Sequence, residues 1–196
     1  MQGRIDVPLN DFGIKIAKET GRALKDIKFD AAYSSPLIRA VETVRLVLSE
    51  SGNQDVEILK DERLKEANLG DWEGKRVKNG KCEIDPQKKA VFFENPFKLD
   101  RIPGGESAFE VCARTQEFIK ELAKREYKNV LVSTHGFAVR ALLNFLYEDK
   151  TDFWQGGVPF NCAVNILKAE NGNIEILEKD KIYVTVKASP GLKGTL

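Results

Sequence analysis

Short apolar runs alternate along the chain with longer stretches in which apolar residues recur at helical spacing. Short runs between turn signals are typical of buried strands, whereas the helical repeat is typical of amphipathic helices. Strands that alternate with helices in this way indicate an α/β fold with a mainly parallel sheet. The pattern predicts helices over residues 12–26, 36–48 and 108–125 and from residue 137 onward, and strands over residues 29–33, 56–59, 129–133 and 163–169.

Turn and capping residues mark the ends of several of these segments. Ser35 is suited to cap the second helix, with Pro36 at its first position. Ser107 is a candidate cap for the long helix that follows it. The Asn171-Gly172 pair predicts a β-hairpin after the last long strand. A further edge strand is expected over residues 182–186, followed by a frayed tail.

The only histidine, His135, lies where the strand over residues 129–133 passes through Gly136 into a helix. Such a connection brings the imidazole to the carboxyl end of the sheet, where open α/β sheets bind ligands. A lone histidine at a strand end is nevertheless more often a packed or hydrogen-bonded side chain. Its role therefore depends on what else the fold brings to that edge.

Arg39 falls in the first turn of the second predicted helix, away from the apolar stripe. The helix dipole disfavours a cation at this end. An anion held jointly by the guanidinium and by free helix N–H groups would explain the position. A solvated surface arginine would explain it equally well.

Residues 61–74 carry a cluster of carboxylates, and their glycines predict a loop. Loops bear functional residues more often than their share, although any one of these carboxylates is more often a solvated charge than a catalyst. Residues 75–105 are the least regular stretch, with Phe92, Phe93 and Phe97 as apolar anchors. We expect them to form an excursion with one short helix that covers a site as a lid.

Composition limits the classes of function. The 196 residues suffice for one domain with a well-buried core, and a net charge of +1 without a basic block gives no indication of nucleic-acid or membrane partners. No apolar run approaches the ~18 residues of a membrane span, and no signal segment is evident. The cysteines Cys82, Cys112 and Cys162 are far apart and make no metal pattern. We therefore expect a cytoplasmic protein without metal or other cofactor.

Five segments, in order and over nearly the whole chain, resemble motifs of the histidine phosphatase superfamily, of which phosphoglycerate mutase is a familiar member. The resemblance implies a phosphoglycerate mutase-like α/β fold, a three-layer sandwich with a mainly parallel central sheet. The segments are Asp6-Val-Pro-Leu-Asn-Asp-Phe-Gly13, Tyr33-Ser-Ser-Pro-Leu-Ile-Arg-Ala-Val-Glu-Thr43, Leu64-Lys-Glu-Ala-Asn-Leu-Gly-Asp-Trp-Glu-Gly74, Pro103-Gly-Gly-Glu-Ser107 and Ser133-Thr-His-Gly136.

The resemblance implies phosphoryl transfer through a phosphohistidine. Such chemistry needs a nucleophilic imidazole, a cationic cage for the phosphoryl oxygens and an acid that protonates the leaving alkoxide. By position, Arg39 is a cage arginine, Glu66 the proton donor and His135 the second, non-nucleophilic histidine. The backbone N–H of Gly136 is expected to face the phosphate. No metal is needed, because the arginines and the second histidine supply the positive field.

The chain departs from the family pattern at its start. The family opens with a strand that ends in Arg-His-Gly, whose histidine is the nucleophile, whereas this chain starts at Met1-Gln-Gly-Arg4. It therefore offers no second imidazole for that role, and only one of the two core cage arginines is present. A sheet without that central strand would leave two neighbours with unpaired backbone groups.

Three explanations stay open. The chain is a fragment whose upstream part was lost, which we favour; or it is a natural truncation that keeps the fold and only binds phosphate; or another strand fills the gap. That strand would come from residues 182–186 or from a partner chain, and an unfilled gap would favour a homodimer.

We thus expect a single histidine-phosphatase-like domain over residues 1–196, with the lid at about residues 75–105. It should act on a small phosphorylated substrate, as a phosphatase rather than a mutase, because the excursion is short for a mutase. As written, the chain should be inactive or impaired. The alternative is a phosphate-binding pseudoenzyme or interaction module. A nucleotide-binding Rossmann domain is disfavoured, since no G-x-G-x-x-G follows a strand.

Overall fold

The computed structural model describes residues 1–77 and 82–184, which form five α-helices and five strands. The helices are α1 (Asp11–Ala23), α2 (Ile38–Glu50), α3 (Pro86–Glu94), α4 (Ala108–Leu122) and α5 (Gly136–Leu143). The strands are β1 (Ala31–Ser34), β2 (Ile58–Lys60), β3 (Val130–Ser133), β4 (Val164–Glu170) and β5 (Asn173–Lys181). Short 3-10 turns cover Glu62–Leu64, Gly70–Trp72, Pro96–Lys98 and Asn144–Leu146.

The first three strands form a parallel sheet in the order β2, β1, β3, with Ala32 of β1 aligned with Ile58 on one side and with Leu131 on the other. Strands β4 and β5 form a separate antiparallel hairpin. The chain reverses between them at Asn171 and Gly172, both with positive φ, as the hairpin signal predicted. The α/β class with a parallel sheet is confirmed.

Successive side chains of the parallel strands point to opposite faces, and each face is covered by helices. Ala32 and Leu131 pack against the apolar stripe of α2. Tyr33 and Val132 pack on the other side, against a cluster contributed mainly by α4 and α5. The sheet therefore lies between two helical layers, as a three-layer sandwich requires.

The β4–β5 hairpin is attached through α5. Arg140 of α5 has a side chain only 3% exposed, and it forms an ion pair of 2.8 Å with Asp180 of β5. It also donates to the carbonyl oxygen of Gly157 at 2.9 Å. Leu167 of β4 and Ile176 of β5 join the cluster on α4 and α5. Helix α5 thus holds the hairpin on the same helical layer that covers the parallel sheet.

Two sequence expectations are wrong in detail. Helix α2 begins at Ile38 with Leu37 as its N-cap, two residues later than predicted. Ser35 instead stays outside the helix, where its hydroxyl accepts the N–H of Leu37 at 3.3 Å. Of the edge strand expected over residues 182–186, the first three residues are not in a strand, and residues 185–186 lie outside the described part of the chain, as does the tail.

Other expectations are confirmed. Ser107 caps α4 in a capping box with Glu110. The irregular stretch contains one helix, α3, although residues 78–81 of that stretch lie outside the described residues. Phe92 of α3 is buried and contacts the rings of Phe137 and Trp154. The excursion is therefore packed on the start of α5, next to the edge where ligands were expected.

Candidate active site

His135 and Ser35 follow the carboxyl ends of two neighbouring parallel strands. His135 comes two residues after β3, and Ser35 directly follows β1. Because these strands run in the same direction, both residues reach the same edge of the sheet. The His135 Nε2 atom lies 2.8 Å from the Ser35 Oγ atom, a hydrogen bond that either imidazole tautomer can make. The structure thus places His135 at the predicted edge, as the N-cap residue of α5.

The imidazole of His135 is neutral at neutral pH. Burial lowers its pKa to about 3, helped by the positive charges of Arg39 and Arg114. Desolvation disfavours the imidazolium, and two nearby guanidinium groups repel it. An anion bound beside the ring would offset both effects.

The Glu66 carboxylate lies on the N-terminus of α5. Its Oε1 atom accepts the N–H of Ala138 at 3.0 Å and that of Ala67 at 2.9 Å, and its Oε2 atom accepts the N–H of Phe137 at 3.3 Å. The free N–H groups of a helix start favour a negative charge. Burial nevertheless raises the pKa of Glu66, although these N–H groups and Arg39 oppose it. A carboxyl group with a raised pKa is suited to donate a proton.

Arg39 lies in the first turn of α2, as predicted, but it is partly buried rather than solvated. Its guanidinium donates to the carbonyl oxygens of Ile5 at 2.9 Å and of Gly3 at 2.8 Å. The Oδ1 atom of Asp6 accepts the N–H of Ile38 at 2.7 Å, so a carboxylate of the chain already occupies part of this helix start. The remaining guanidinium N–H groups are available to an oxyanion.

Arg39, Glu66 and His135, all predicted from the sequence, interact electrostatically. The charge of Arg39 acts on both the Glu66 carboxyl and the His135 imidazole. The N–H of Gly136 belongs to the same helix start, one position before the donors that Glu66 uses. The arrangement combines a cation, a neutral imidazole, a buried acid and helix N–H groups at one edge of the sheet. Such a set can bind a phosphoryl group and protonate a departing oxygen.

Three further charged residues, missed in the sequence, surround the backbone of Glu66. Glu106 accepts both Nε and NH2 of Arg114, at 2.9 and 3.0 Å, and also NH2 of Arg4 at 3.0 Å. Arg4 and Arg114 both donate to the carbonyl oxygen of Glu66, at 3.2 and 3.1 Å. The only sequence signal was the Pro103–Ser107 motif that contains Glu106, because a side chain that binds loop carbonyls leaves no periodic pattern.

The loop that carries Glu66 and the loop before α4 pack backbone against backbone. The N–H of Asp71 donates to the carbonyl oxygen of Pro103 at 3.0 Å, and the N–H of Glu106 donates to that of Asn68 at 2.8 Å. Gly70 has a φ of +46°, and a Cβ atom there would overlap the backbone of Pro103 and Gly105. Glycine is therefore required where the two loops meet.

Among the residues that the structure describes, no group of three or more His, Cys, Asp or Glu side chains could hold a metal ion. Cys112 is buried, which raises the pKa of its thiol to about 12 and keeps it protonated. None of the described helices is long and apolar enough to cross a membrane.

The chain belongs to the histidine phosphatase superfamily (branch 1), whose model matches residues 1–181. This agrees with the motifs and with the three-layer fold, and it confirms the resemblance seen in the sequence.

Relatives in this family include both mutases and phosphatases. Phosphoglycerate mutase-like protein 4 of Arabidopsis thaliana is 33% identical over 144 residues, which cover 72% of this chain and 61% of the relative. A 2,3-bisphosphoglycerate-dependent phosphoglycerate mutase of Parvibaculum lavamentivorans is 35% identical, covering 70% of this chain and 67% of the relative. The chain thus spans about two thirds or less of the length of these relatives. Phosphoserine phosphatase 1 of Hydrogenobacter thermophilus is 32% identical over 179 residues, 90% of this chain and 82% of the relative.

Solved structures show the same fold. Bacillus stearothermophilus YhfR superposes with a TM-score of 0.82 at 27% identity, over 93% of this chain and 89% of that chain. A mycobacterial glucosyl-3-phosphoglycerate phosphatase in complex with inorganic phosphate superposes with a TM-score of 0.78 at 24% identity, over 93% of this chain and 92% of that chain.

Proposed function

We propose that this chain forms the phosphate site of a phosphomonoesterase of the histidine phosphatase type. The observation that carries the proposal is the convergence of Arg39, Glu66 and His135 at the carboxyl edge of the parallel sheet, with Glu66 seated on the start of α5. Phosphoryl transfer depends on positioning and on positive charge around the phosphoryl oxygens. Residues at this edge of the sheet can meet both of these requirements.

The residues take distinct roles in this proposal. Arg39, the imidazole of His135 and the N–H of Gly136 bind the phosphoryl oxygens. Glu66, whose pKa is raised by burial, gives its proton to the oxygen of the leaving alcohol. His135 begins neutral and stabilises the bound dianion by hydrogen bonding or by taking up a proton, which the nearby anion favours.

A phosphohistidine route with a separate second histidine needs two imidazoles, and the sequence of 196 residues contains one. The chain as written is therefore proposed to bind phosphate but to turn over slowly or not at all. His135 could attack phosphate itself only by leaving the role of stabiliser.

The alternative is a phosphate-binding pseudoenzyme or interaction module. It is favoured by the same count of histidines, because binding needs the cage and not the nucleophile. It predicts phosphate binding without turnover under every condition, including the supply of imidazole as an external nucleophile.

The proposed substrate is a small phosphomonoester. The phosphoserine phosphatase and the phosphoglycerate mutases among the relatives are named for small phosphorylated compounds. Phosphatase activity is favoured over mutase activity, because the excursion over residues 75–105 is short. That excursion is proposed to act as a lid on a single domain. A cytoplasmic location, homodimerisation and the absence of nucleic-acid or membrane partners stay predictions from the sequence.

The test is hydrolysis of p-nitrophenyl phosphate by the purified chain and by its His135→Ala variant, with and without added imidazole, together with the melting temperature in inorganic phosphate. Without imidazole, the proposal expects little or no turnover in either protein and a higher melting temperature of the parent in phosphate. With imidazole supplying the second imidazole group, it expects turnover by the parent, which the pseudoenzyme alternative does not. Turnover by the parent without imidazole that disappears in His135→Ala would contradict the expected inactivity and would indicate that His135 or an unrecognised group attacks the phosphate. No effect of phosphate on melting would contradict the phosphate site.

A further inference from the structure

Glu106 and Arg114 form a partly buried, two-point ion pair outside the set Arg39, Glu66 and His135. Their side chains are 18% and 16% exposed, and Glu106 uses both carboxylate oxygens to accept Nε and NH2 of Arg114. A forked pair of this kind fixes the plane of the guanidinium. The other N–H groups of Arg114 are thereby aimed in one direction.

Those remaining N–H groups bind the loop that carries Glu66. NH1 of Arg114 donates to the carbonyl oxygens of Arg63 and Lys65, both at 2.7 Å, and NH2 donates to that of Glu66 at 3.1 Å. This segment is a 3-10 turn followed by irregular backbone, so its carbonyl groups lack the ladder partners of a helix or strand. Arg114 supplies those partners from outside.

Glu106 and Arg4 also bind the backbone of the loop that carries Glu66. Oε2 of Glu106 accepts the N–H of Asn68 at 2.9 Å and NH2 of Arg4 at 3.0 Å. Nε of Arg4 donates to the carbonyl oxygen of Glu66 at 3.2 Å. The backbone is therefore held before, at and after Glu66 by three charged side chains.

One further contact ties the loop to the sheet edge. Thr134 directly precedes His135, and its hydroxyl donates to the carbonyl oxygen of Leu64 at 2.8 Å. This bond holds the start of the loop, but it lies two residues from Glu66. The position of the Glu66 backbone itself is set by Arg114 and Arg4.

We propose that Glu106, Arg114 and Arg4 act as a positioning cluster that keeps the Glu66 carboxyl seated on the start of α5 and out of water. The inference rests on the proposed function in one respect, that Glu66 is the proton donor. The cluster does not touch the phosphoryl group in this proposal and acts through Glu66 alone. Loosening it should let water reach the carboxyl, whose pKa should then fall toward the ordinary value, because burial is what raises it.

The test follows the ¹³C chemical shift of the Glu66 carboxyl against pH in labelled protein, with the signal assigned by its loss in Glu66→Gln. The variants are Arg4→Ala, Glu106→Gln and Arg114→Lys, and each is checked for its fold by circular dichroism. The side chain of Arg4 is the most exposed of the three, at 32%. Arg4→Ala can therefore still be measured if a substitution at Glu106 or Arg114 prevents folding. Glu110→Gln is the matched control, because Glu110 lies nearby in an exposed pair with Arg101 and does not contact the loop.

Arg4→Ala and Glu106→Gln separate positioning from simple electrostatics. Removing a positive charge raises the pKa of a carboxyl, and removing a negative charge lowers it. Direct electrostatics therefore predicts shifts of opposite sign. Positioning predicts that the pKa of Glu66 falls in both variants, and also in Arg114→Lys, which keeps the charge but loses the fork.

Opposite shifts, or a titration of Glu66 in folded Arg4→Ala and Glu106→Gln that matches the parent and Glu110→Gln, would overturn the proposal. Phosphate binding is measured on the same samples. If the parent binds no phosphate but the pKa of Glu66 falls in the variants as expected, the proposed function is wrong and the positioning cluster is still supported.

Discussion

His135 is held in its neutral form by its surroundings. Burial and the charges of Arg39 and Arg114 lower its pKa, and the hydroxyl of Ser35 fixes the ring by a hydrogen bond of 2.8 Å. Glu66, by contrast, has a raised pKa. Neighbouring groups whose pKa values are moved in opposite directions relative to solution are typical of sites that handle protons.

The low pKa of His135 predicts acid sensitivity. The ordinary pKa is near 6.5 and the folded pKa is about 3, so between these values the unfolded chain binds a proton that the folded chain does not. The free energy of unfolding contributed by this group is therefore fully present above about pH 6.5 and is lost as the pH falls toward 3.

We expect His135→Asn to remove the part of the acid-induced decrease in the free energy of unfolding that comes from His135. This part should amount to a few kcal/mol between about pH 7 and about pH 4. Urea unfolding of parent and variant across this range gives the difference directly, because the other acidic groups titrate in both. Curves that stay parallel at every pH would show that the imidazole is not held neutral.

At the scale of elements, the sequence predicted what depends on periodicity and local capping. The stripe of α2, the cap at Ser107 and the Asn171-Gly172 hairpin all have local physical causes and were found. The start of α2 was wrong, because Ser35 is drawn into contact with His135 from a strand about a hundred residues away in sequence.

The charged cluster around Glu66 was not predictable for a similar reason. Arg114 donates to loop carbonyl oxygens, and Glu106 accepts the N–H of Asn68 in the same loop. The positions of these backbone groups depend on how two loops meet, and this leaves no spacing in the sequence. Arg39 was placed correctly, but its bonds to the carbonyl oxygens of Gly3 and Ile5 depend on the path of the first residues.

The contact between these two loops predicts a sharp sensitivity at Gly70. A Cβ atom there would overlap the backbone of Pro103, and the φ of +46° is strained for alanine. Gly70→Ala should lower the free energy of unfolding by about 3 kcal/mol or more, measured by chemical denaturation. Gly52→Ala is the control, because Gly52 also has a positive φ, +73°, but no atom within 4 Å of a Cβ; about 1 kcal/mol is expected there. Equal costs would mean that the loop contact adds nothing.

At the scale of the whole molecule, one helical layer joins two sheets. Helices α4 and α5 cover one face of the parallel sheet and also hold the β4–β5 hairpin. Among the described residues, no strand pairing joins the two sheets. The ion pair between Arg140 and Asp180 is a partly buried polar link in this arrangement.

Asp180→Asn should loosen the attachment of the hairpin without straining its backbone, since asparagine also tolerates the φ of +53° found at this position. Leaving Arg140 without its partner should lower the free energy of unfolding by about 2–3 kcal/mol, given the partial exposure of Asp180. Amide hydrogen exchange should quicken in β4 and β5 more than in β1 and β3. Glu170→Gln, in an exposed pair with Lys168 of the same hairpin, should change little. Uniform quickening across both sheets would contradict a local tether.

Phosphate binding at this edge of the sheet is measured by calorimetric titration of inorganic phosphate into the parent, Arg39→Ala and Arg45→Ala. Arg45 is an exposed arginine of the same helix and controls for the loss of charge. We expect binding to the parent and to Arg45→Ala, and at least a roughly tenfold loss of affinity in Arg39→Ala. Equal affinity in Arg39→Ala and Arg45→Ala, or no binding to the parent, would contradict a phosphate site at this edge.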